Sequence, residues 1–336
     1  MLHAAGGRDI GVGHLRRTLT LARAVAALDP SIELFLLWEA QQALAETMRG
    51  PSAPGRLELA ATRGDGLALR DRLGNHPACA LVSDILRPDD GYFAGARAAG
   101  HAIVAHVNDS GATRAAADLL VDEEPGAAPP PGHRGRFLSG ARFRMIAPEY
   151  AALRPTAPWR GPRAARVAVA LGGADPNQLS PRLLAALRHH PRFSEIHVVL
   201  QIGPAFAPAA VSALERLAAG ADNVALSPPS GTAGPVLAQA DLIVTLGGIT
   251  AYEAMCLGRA GAAVRDPGMA PYVRVLAAAG LLADLGEPEA AAAALLDLAQ
   301  DGPSVASLAE RGHRAIDGQG ARRVAEALLS VESAPA

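Results

Sequence analysis

The chain has 336 residues, half of them apolar and only 4% aromatic, which is enough for two domains with separate cores. Its 31 Lys and Arg residues nearly balance its 33 Asp and Glu residues, and no basic run is long enough to follow a phosphate backbone, so we expect no nucleic-acid partner. A signal-peptide pattern and an apolar run of membrane-spanning length are both missing, which predicts a cytoplasmic protein without a membrane span. Cys79 and Cys256 lie in separate apolar runs and are expected to be buried free thiols.

The first motif follows a short apolar run, Leu2–Ala5, which we predict to be a strand. Gly11 and Gly13 lie on either side of a valine and precede His14 and an amphipathic stretch. Two such glycines let the backbone turn tightly and bring its N–H groups close to a ligand, and the N-terminus of the following helix attracts anions. His14 is a side chain that can move protons near neutral pH. The alternative is a structural turn with an incidental histidine, because short glycine motifs also occur by chance.

Apolar runs with strand character recur along the chain, separated by stretches of helical character. Such runs without polar alternation indicate buried strands of parallel sheets. They are residues 32–38, 78–83, 102–107, 119–121 and 137–138 in the first half, and 167–171, 196–202, 224–226, 242–246 and 262–264 in the second. We therefore predict an α/β fold with two Rossmann-like, doubly wound domains that face each other across a ligand-binding cleft.

The domain boundary is predicted at a proline-rich run, residues 155–164, which has the composition of a linker. The N-terminal domain is expected to comprise residues 1–154 and to carry the histidine. The C-terminal domain is expected to comprise residues 165–330 and to end in two Ala/Leu-rich helices. Residues 331–336 are predicted to be a disordered tail.

The second motif follows the first apolar run of the second half. Gly172 and Gly173 form a glycine turn and Asp175 follows, so a polar residue is expected at the carboxyl end of a strand. This arrangement favours a ligand site. The structural alternative is a turn in which Asp175 caps a helix.

The third motif follows residues 242–246. Gly247 and Gly248 come first, and Ile249 and Thr250 open a predicted helix whose first N–H groups would suit a diphosphate. Glu253 lies one turn further on, where a carboxylate can accept hydrogen bonds from both hydroxyls of a ribose, by analogy with dinucleotide sites. The alternative is a capping box made by Thr250 and Glu253, and the paired glycines favour the ligand role.

Several common site patterns are missing. The sequence has no P-loop lysine, no GxGxxG and no zinc-ligand spacing, which argues against a P-loop NTPase, a dehydrogenase or a metalloenzyme. We therefore expect neither a metal nor a cofactor. Two acidic clusters, at 89–90 and 122–124, are interpreted as solvated loop faces.

In their order and spacing these motifs resemble the GT-B superfamily of nucleotide-sugar enzymes. The sequence is most similar to the UDP-sugar hydrolase of the pseudaminic-acid pathway and its SpsG-like spore-coat polysaccharide paralogues, and more distantly to MurG-type glycosyltransferases. The motifs are GVGHLRR at 11–17, SD at 83–84, ND at 108–109, ADL at 117–119, GARF…APEY at 140–150, GGADPN at 172–177, ADLIVTLGGITAYEAMCLG at 240–258 and IDGQGARRV at 316–324.

The resemblance implies roles for individual residues. Uracil and ribose would bind the C-terminal domain, with Glu253 on the ribose, and the diphosphate would lie between the Gly247–Gly248 loop and Gly13. His14 would be the catalytic base facing the anomeric carbon. If a variant without His14 kept its activity, the base would be sought among the carboxylates near the cleft, first Asp84 and Asp109. The residues assigned to nucleotide-sugar binding are Gly11, Gly13, Arg17, Gly172, Gly173, Asp175, Gly247, Gly248, Ile249, Thr250 and Glu253.

The sequence departs from the hydrolase subgroup at three places. Residues 85–87 read Ile-Leu-Arg where the subgroup has a tyrosine, residues 108–109 read Asn-Asp in place of a pair of aspartates, and residues 265–272 lack an Asn-Gln pair. Each hydrogen bond lost to a buried sugar hydroxyl costs roughly 1–3 kcal/mol, so these changes should alter the sugar more than the nucleotide.

Three functions remain open. The departures favour a glycosyltransferase that moves a sugar from a UDP- or dTDP-sugar to a small-molecule or glycan acceptor, with His14 as general base. The first alternative is a nucleotide-sugar hydrolase in which water replaces the acceptor. The second is a non-catalytic nucleotide-sugar-binding protein, against which the presence of His14 argues.

Overall fold

A computed structural model describes residues 1–7, 10–51, 53–60, 80–86, 88, 90–107, 115–229 and 233–331. The chain divides into two compact units. The first comprises Met1–Ala147 together with Gln319–Ala336, and the second comprises Pro148–Gly318.

Each unit is built on one parallel sheet. The strands of the first are β1 (Leu2–Ala5), β2 (Phe35–Glu39), β3 (Arg56–Leu59), β4 (Ala80–Asp84), β5 (Ile103–Val107), β6 (Leu119–Asp122) and β7 (Arg136–Ser139). Those of the second are β8 (Arg166–Val169), β9 (His197–Gln201), β10 (Val224–Ser227), β11 (Leu242–Thr245), β12 (Ala260–Ala263) and β13 (Ala283–Asp284).

Helices connect and cover these strands. They are α1 (Gly13–Leu28), α2 (Gln42–Arg49), α3 (Asp90–Ala98), α4 (Pro148–Ala152), α5 (Leu179–His189), α6 (Pro208–Ala218), α7 (Gly234–Ala238), α8 (Ile249–Cys256), α9 (Ala270–Ala278), α10 (Pro288–Gln300), α11 (Gly302–Ala315) and α12 (Gly320–Leu329). Short 3₁₀ turns occur at Ala141–Phe143 and Phe193–Glu195. None of the helices in the described part of the chain is both long and apolar enough to cross a membrane.

The sheet of the first unit has the order β3-β2-β1-β4-β5-β6-β7. The chain adds strands on one side of β1 and then returns to add β4 on its other side, where Ala4 pairs with Asp84. The carboxyl ends of β1 and β4 therefore form a topological switch point, which is the usual ligand site of such sheets. Leu15 of α1 is fully buried in the core on one face of the sheet.

The sheet of the second unit has the order β10-β9-β8-β11-β12-β13. Its switch point lies between β8 and β11, which pair through Val169 and Val244. These two valines share a core with Leu183 of α5 and Leu295 of α10. The loops after β8 and β11 carry the second and third sequence motifs, so both emerge at this switch point.

The strand predictions are confirmed, with small shifts at the ends, for every run that the sequence pattern identified. Two strands were missed, β3 and β13. Neither has a buried residue, and β13 has only two residues. Both are edge strands, so they lack the continuous apolar run from which a central parallel strand is predicted.

The division between the units differs from the expected boundaries in three respects. Residues 148–154, expected in the N-terminal domain, belong to the second unit. Helix α12 belongs to the first unit, where it packs on α1. Residues 155–164 belong to the second unit, where the indole N–H of Trp159 donates to Asp241 (2.9 Å) and the N–H of Ala164 donates to the carbonyl of Ala299 (2.7 Å). The proline-rich run is thus packed structure, although its composition is that of a linker. The predicted tail lies, apart from residue 331, outside the described residues.

Of the two cysteines, Cys256 is a buried free thiol at the end of α8, as expected. Burial raises the pKa of this thiol to about 11, which keeps it protonated at neutral pH. Cys79 lies outside the described residues.

Candidate functional site

His14 and Asp84 form a hydrogen-bonded pair at the switch point of the first unit. His14 is the second residue of α1 and Asp84 is the last residue of β4. Nδ1 of His14 lies 2.6 Å from Oδ1 of Asp84, with the side chains 12% and 0% exposed. An ionised carboxylate can only accept, so this contact assigns the proton of the ring to Nδ1. Nε2 bonds to no other described residue and is left as the acceptor nitrogen.

Arg17, one turn further along α1, clamps the same carboxylate. Its Nε donates to Oδ2 of Asp84 (2.8 Å) and its Nη2 to Oδ1 (2.6 Å). Burial alone would raise the pKa of Asp84. The charges and hydrogen bonds of Arg17 and His14 outweigh burial, so the pKa lies far below its usual range. Asp84 is therefore a permanent anion, better suited to orient His14 than to act as the base itself.

The third nitrogen of Arg17 also has a carboxylate partner. Nη1 donates to Oε2 of Glu123, at 3.2 Å. All three guanidinium nitrogens thus donate to side chains of the first unit. Arg17 therefore holds Asp84 in place, and its expected contact with the nucleotide sugar stays a prediction.

The acidic run at 122–124 was interpreted as a solvated loop, and for its first two residues this is wrong. Asp122 and Glu123 are buried, and Glu123 is paired with Arg144 as well as Arg17. The charge of Glu123 can be buried because two arginines distant in sequence neutralise it. At the other cluster, residue 89 and the side chain of residue 90 are outside the described residues.

The glycine loop before α1 uses its N–H groups differently from the prediction. Gly7 and Gly11 form a small antiparallel bridge in which the N–H of Gly11 donates to the carbonyl of Gly7 (2.8 Å). The N–H of Gly11 therefore already donates a hydrogen bond within the loop. Gly13 is the first residue of α1, and no side chain caps the helix at Val12. The N–H groups that face outward here are those of the first turn of α1, which starts at Gly13.

In the second motif the structure favours the capping alternative. Both oxygens of Asp175 accept hydrogen bonds from the first turn of α5, from the N–H groups of Leu179 (2.7 Å) and Ser180 (2.8 Å). Asp175 is itself buried. A buried carboxylate at this helix N-terminus already fills the place of an anion, so the structure speaks against the expected contact of Asp175 with a nucleotide. Gly172, with φ +91°, makes the turn before it.

The third motif forms a strand–glycine–helix junction without a capping side chain. Gly247 has φ +85°, and a Cβ there would lie 2.8 Å from Cγ2 of Val273, so only glycine fits. Gly248 is the N-cap of α8 and no side chain caps the helix, which rules out the capping box. Thr250 and Glu253 are both buried, with Glu253 only 1% exposed. Ile249, the first residue of the helix, is partly exposed.

Comparisons with solved structures identify the fold. The chain is similar to MurG of Acinetobacter baumannii, at 16% identity and a TM-score of 0.64 over 98% of each chain. It is similar to UDP-GlcNAc 2-epimerase from Neisseria meningitidis solved with UDP-GlcNAc (14% identity, TM-score 0.63, 98% of this chain and 99% of that one). It is also similar to the calicheamicin glycosyltransferase CalG4 (17% identity, TM-score 0.59, 98% and 97%). The chain has the GT-B fold.

At the level of sequence no family model matches the chain, and no curated protein matches it. The predicted architecture is confirmed, because both parallel sheets and their helices match the GT-B arrangement. One of these neighbours is a UDP-GlcNAc 2-epimerase and another is a glycosyltransferase, while the expected kinship with the SpsG-like group stays a prediction.

The positions where the sequence departs from the hydrolase pattern have partners of their own. Asp266 accepts a hydrogen bond from Asn177 (2.5 Å), and Arg265 pairs with Asp284 (2.8 Å). Leu86, two positions after Asp84, is exposed, whereas Ile85 is buried. Asp109, the other candidate base, lies outside the described residues, as do residues 87 and 108.

Proposed function

We propose that this protein is an enzyme that breaks the anomeric C–O bond of a UDP- or dTDP-sugar and transfers the sugar to an acceptor hydroxyl. His14 is the general base. It takes the proton of the attacking hydroxyl as the bond to the anomeric carbon forms, and the nucleoside diphosphate leaves with the electron pair of the broken bond. The likeness of the chain to nucleotide-sugar glycosyltransferases and epimerases supports an activity of this kind.

The observation that carries the proposal is the 2.6 Å contact between Asp84 and His14. A buried carboxylate on Nδ1 holds the imidazole in one tautomer and one orientation, with Nε2 free to accept a proton. The same carboxylate stabilises the imidazolium that forms when the proton is transferred. A histidine that merely filled a turn would not need a buried anion whose pKa is held far below its usual range.

The nucleotide is assigned to the third motif, in the second unit. The first turn of α8 offers N–H groups without intrahelical partners. The N-cap residue before them, Gly248, has no side chain that could block a phosphate from reaching these groups. Glu253 would accept the ribose hydroxyls. No metal is needed if these dipoles stabilise the leaving diphosphate, so we expect turnover to persist in EDTA.

Hydrolysis is the second candidate, because water can replace the acceptor hydroxyl without any change in the residues that act. A binding protein without catalysis is the third, and the His14–Asp84 pair argues against it. The experiment is to incubate the protein with UDP- and dTDP-sugars, with and without extracts containing acceptors, and to measure release of the nucleoside diphosphate.

Each outcome of this experiment selects one function. Release that requires an acceptor supports transfer, and release in water alone indicates hydrolysis. Isomerisation of the sugar without release would indicate an epimerase, the activity named for one of the structural neighbours. Binding without any conversion would leave the binding protein.

A further inference from the structure

We propose that Glu123 is a positioning residue for His14, acting through Arg17 and Asp84. The proposal rests on the proposed function for its kinetic consequences, whereas its structural core concerns only the state of the His14 ring. Glu123 directly follows β6 and is separated from Arg17 by 106 positions in the sequence.

Glu123 is the centre of a buried group of charges. Its Oε2 accepts from Nη1 of Arg17 (3.2 Å) and Nη1 of Arg144 (2.8 Å), and its Oε1 accepts from the N–H of Met145 (2.8 Å). The side chain is 3% exposed. With a backbone N–H on one oxygen and two guanidinium groups on the other, the carboxylate is fixed in place.

The fixed carboxylate in turn fixes Arg17. Arg17 and His14 share one oxygen, because both Nη2 of Arg17 and Nδ1 of His14 lie 2.6 Å from Oδ1 of Asp84. Nη2 is also only 3.0 Å from Nδ1. A small rotation of the guanidinium therefore changes the hydrogen bond that sets the tautomer of His14. The contact of Nη1 with Glu123 adds to the two bonds to Asp84 in opposing that rotation.

Because Arg144 also pairs with Glu123, the position of Arg17 depends on the negative charge of Glu123 as well as on the hydrogen bond between them. Arg144 is 6% exposed and paired with Glu123 and, at 3.1 Å, with Glu124. If Glu123 lost its charge, two buried guanidinium groups would face each other with no anion between them. Their repulsion would move Arg17, which is the more exposed of the two, at 11%.

The test compares Glu123→Gln with Asp118→Asn. Asp118 lies immediately before β6 and Glu123 immediately after it. Like Glu123, Asp118 accepts from a backbone N–H (Val104, 2.7 Å), and it accepts from one arginine (Arg97, 2.8 Å) where Glu123 accepts from two. The control thus removes a comparable carboxylate from the other end of the same strand, without a link to His14. Both variants are first compared with the wild type by near-UV circular dichroism and thermal melting.

The first readout is the ¹⁵N and ¹H NMR signal of the His14 ring in the protein without substrate. We expect a downfield Nδ1–H in the wild type and in Asp118→Asn, and its loss or a mixture of tautomers in Glu123→Gln. If Glu123→Gln fails to fold, Glu123→Asp replaces it, because the shorter side chain keeps a negative charge within the buried group while drawing the carboxylate back from the guanidinium of Arg17. A wild-type ring signal in the folded Glu123 variant overturns the proposal, as does the same change in Asp118→Asn.

The second readout is steady-state kinetics with the nucleotide sugar. Glu123→Gln should lower kcat by about 10- to 100-fold with KM unchanged, by analogy with the loss that follows when a hydrogen-bond partner of a metal-binding histidine is removed. A loss confined to KM contradicts a positioning role. If the wild type turns over no nucleotide sugar, the proposed function fails, while the NMR comparison still decides the role of Glu123.

Discussion

Oδ1 of Asp84 and Nδ1 of His14 lie 2.6 Å apart although 70 positions separate the two residues in the sequence. Strand order brings them together. Asp84 ends β4, which pairs with β1 at Ala4, and the chain leaves β1 through the glycine loop that leads to His14. The pair is thus made by the switch point of the sheet and belongs to no local motif.

The first prediction concerns Asp84→Asn. The amide can present either its oxygen or its NH₂ group to Nδ1, so the imidazole is no longer held in the tautomer that leaves Nε2 as acceptor. We expect kcat to fall by about 10²–10⁴-fold, approaching the loss known for the same change in a Ser-His-Asp triad. Steady-state release of nucleoside diphosphate measures it. A variant with wild-type turnover would remove Asp84 from the mechanism.

The second prediction concerns stability and pH. Because the pKa of Asp84 is lowered in the folded protein, its ionised form stabilises the fold at every pH above the unfolded value of about 3.9. This contribution is lost as the pH falls through the folded-state pKa. At neutral pH the free energy of unfolding of Asp84→Asn should therefore be about 3 kcal/mol lower than that of the wild type. This is the lower end of the range for removing one partner of a buried ion pair.

The measurement is a series of denaturant titrations of both proteins between neutral and acidic pH. The difference in the free energy of unfolding between wild type and Asp84→Asn should be constant near neutral pH and should become smaller only in strongly acidic solution. A gap that closes already in the weakly acidic range would contradict a lowered pKa for Asp84.

The third prediction concerns His14→Ala. Without the base, turnover should fall by about 10²–10⁴-fold. The affinity for the nucleoside diphosphate should stay close to that of the wild type, because the third motif, to which we assign the nucleotide, belongs to the other unit. Kinetics and calorimetry on the same preparation separate the two effects. If His14→Ala keeps more than about a tenth of the turnover, the base must be sought elsewhere, and Asp109 is then the first residue to test.

Much of the fold could be predicted because strands buried on both faces have near-continuous apolar runs, as β6 and β11 do. His14, Gly247 and Gly248 could be singled out for a similar reason, since a glycine turn between strand and helix is a local pattern. The edge strands and the place of α12 in the first unit depend on packing between distant segments, which a local pattern does not contain.

The burial and the partners of the charged residues were harder to predict from the sequence than the strands. Sequence reasoning treats a run of acidic residues as solvated, because Asp and Glu are rarely buried unless paired. Glu123 is buried since Arg17 and Arg144 reach it from positions distant in sequence. Similarly, the resemblance assigns Arg17 to nucleotide-sugar binding and gives no sign of its partner Asp84, which lies on another strand. Only the strand order reveals these pairs.

The fourth prediction concerns Asp175, for which the structure favours the capping alternative. Asp175→Ala removes two hydrogen bonds to the first turn of α5 and leaves an alanine at φ +48°, so we expect a loss of about 1–2 kcal/mol of stability. Asp175→Asn keeps an acceptor and tolerates the left-handed backbone, and should lose less. Thermal melting measures both changes. Affinity for UDP should be unchanged, and a marked loss of affinity in the folded Asn variant would restore the binding role.

The fifth prediction concerns Glu253 and the ribose. Glu253→Ala should weaken binding of UDP by about 1–3 kcal/mol, the usual effect of losing hydrogen bonds to a charged group, and Thr250→Ala should weaken it less. Because Glu253 is 1% exposed, its removal could also disturb α8, so Glu253→Gln serves as the matched variant. It keeps the shape and one acceptor oxygen but loses the charge.

Calorimetry with UDP and with uridine distinguishes the two roles of Glu253. If the carboxylate binds the ribose, the affinities for UDP and for uridine should fall by the same factor, because both ligands carry the same hydroxyls. The affinities of Glu253→Gln should lie between those of the wild type and Glu253→Ala. If Glu253 only supports α8, both variants should melt at lower temperature, and the loss of affinity should be confined to UDP, whose diphosphate depends on the N–H groups of that helix. Wild-type affinity for both ligands in a folded Glu253→Ala protein would rule out the ribose assignment.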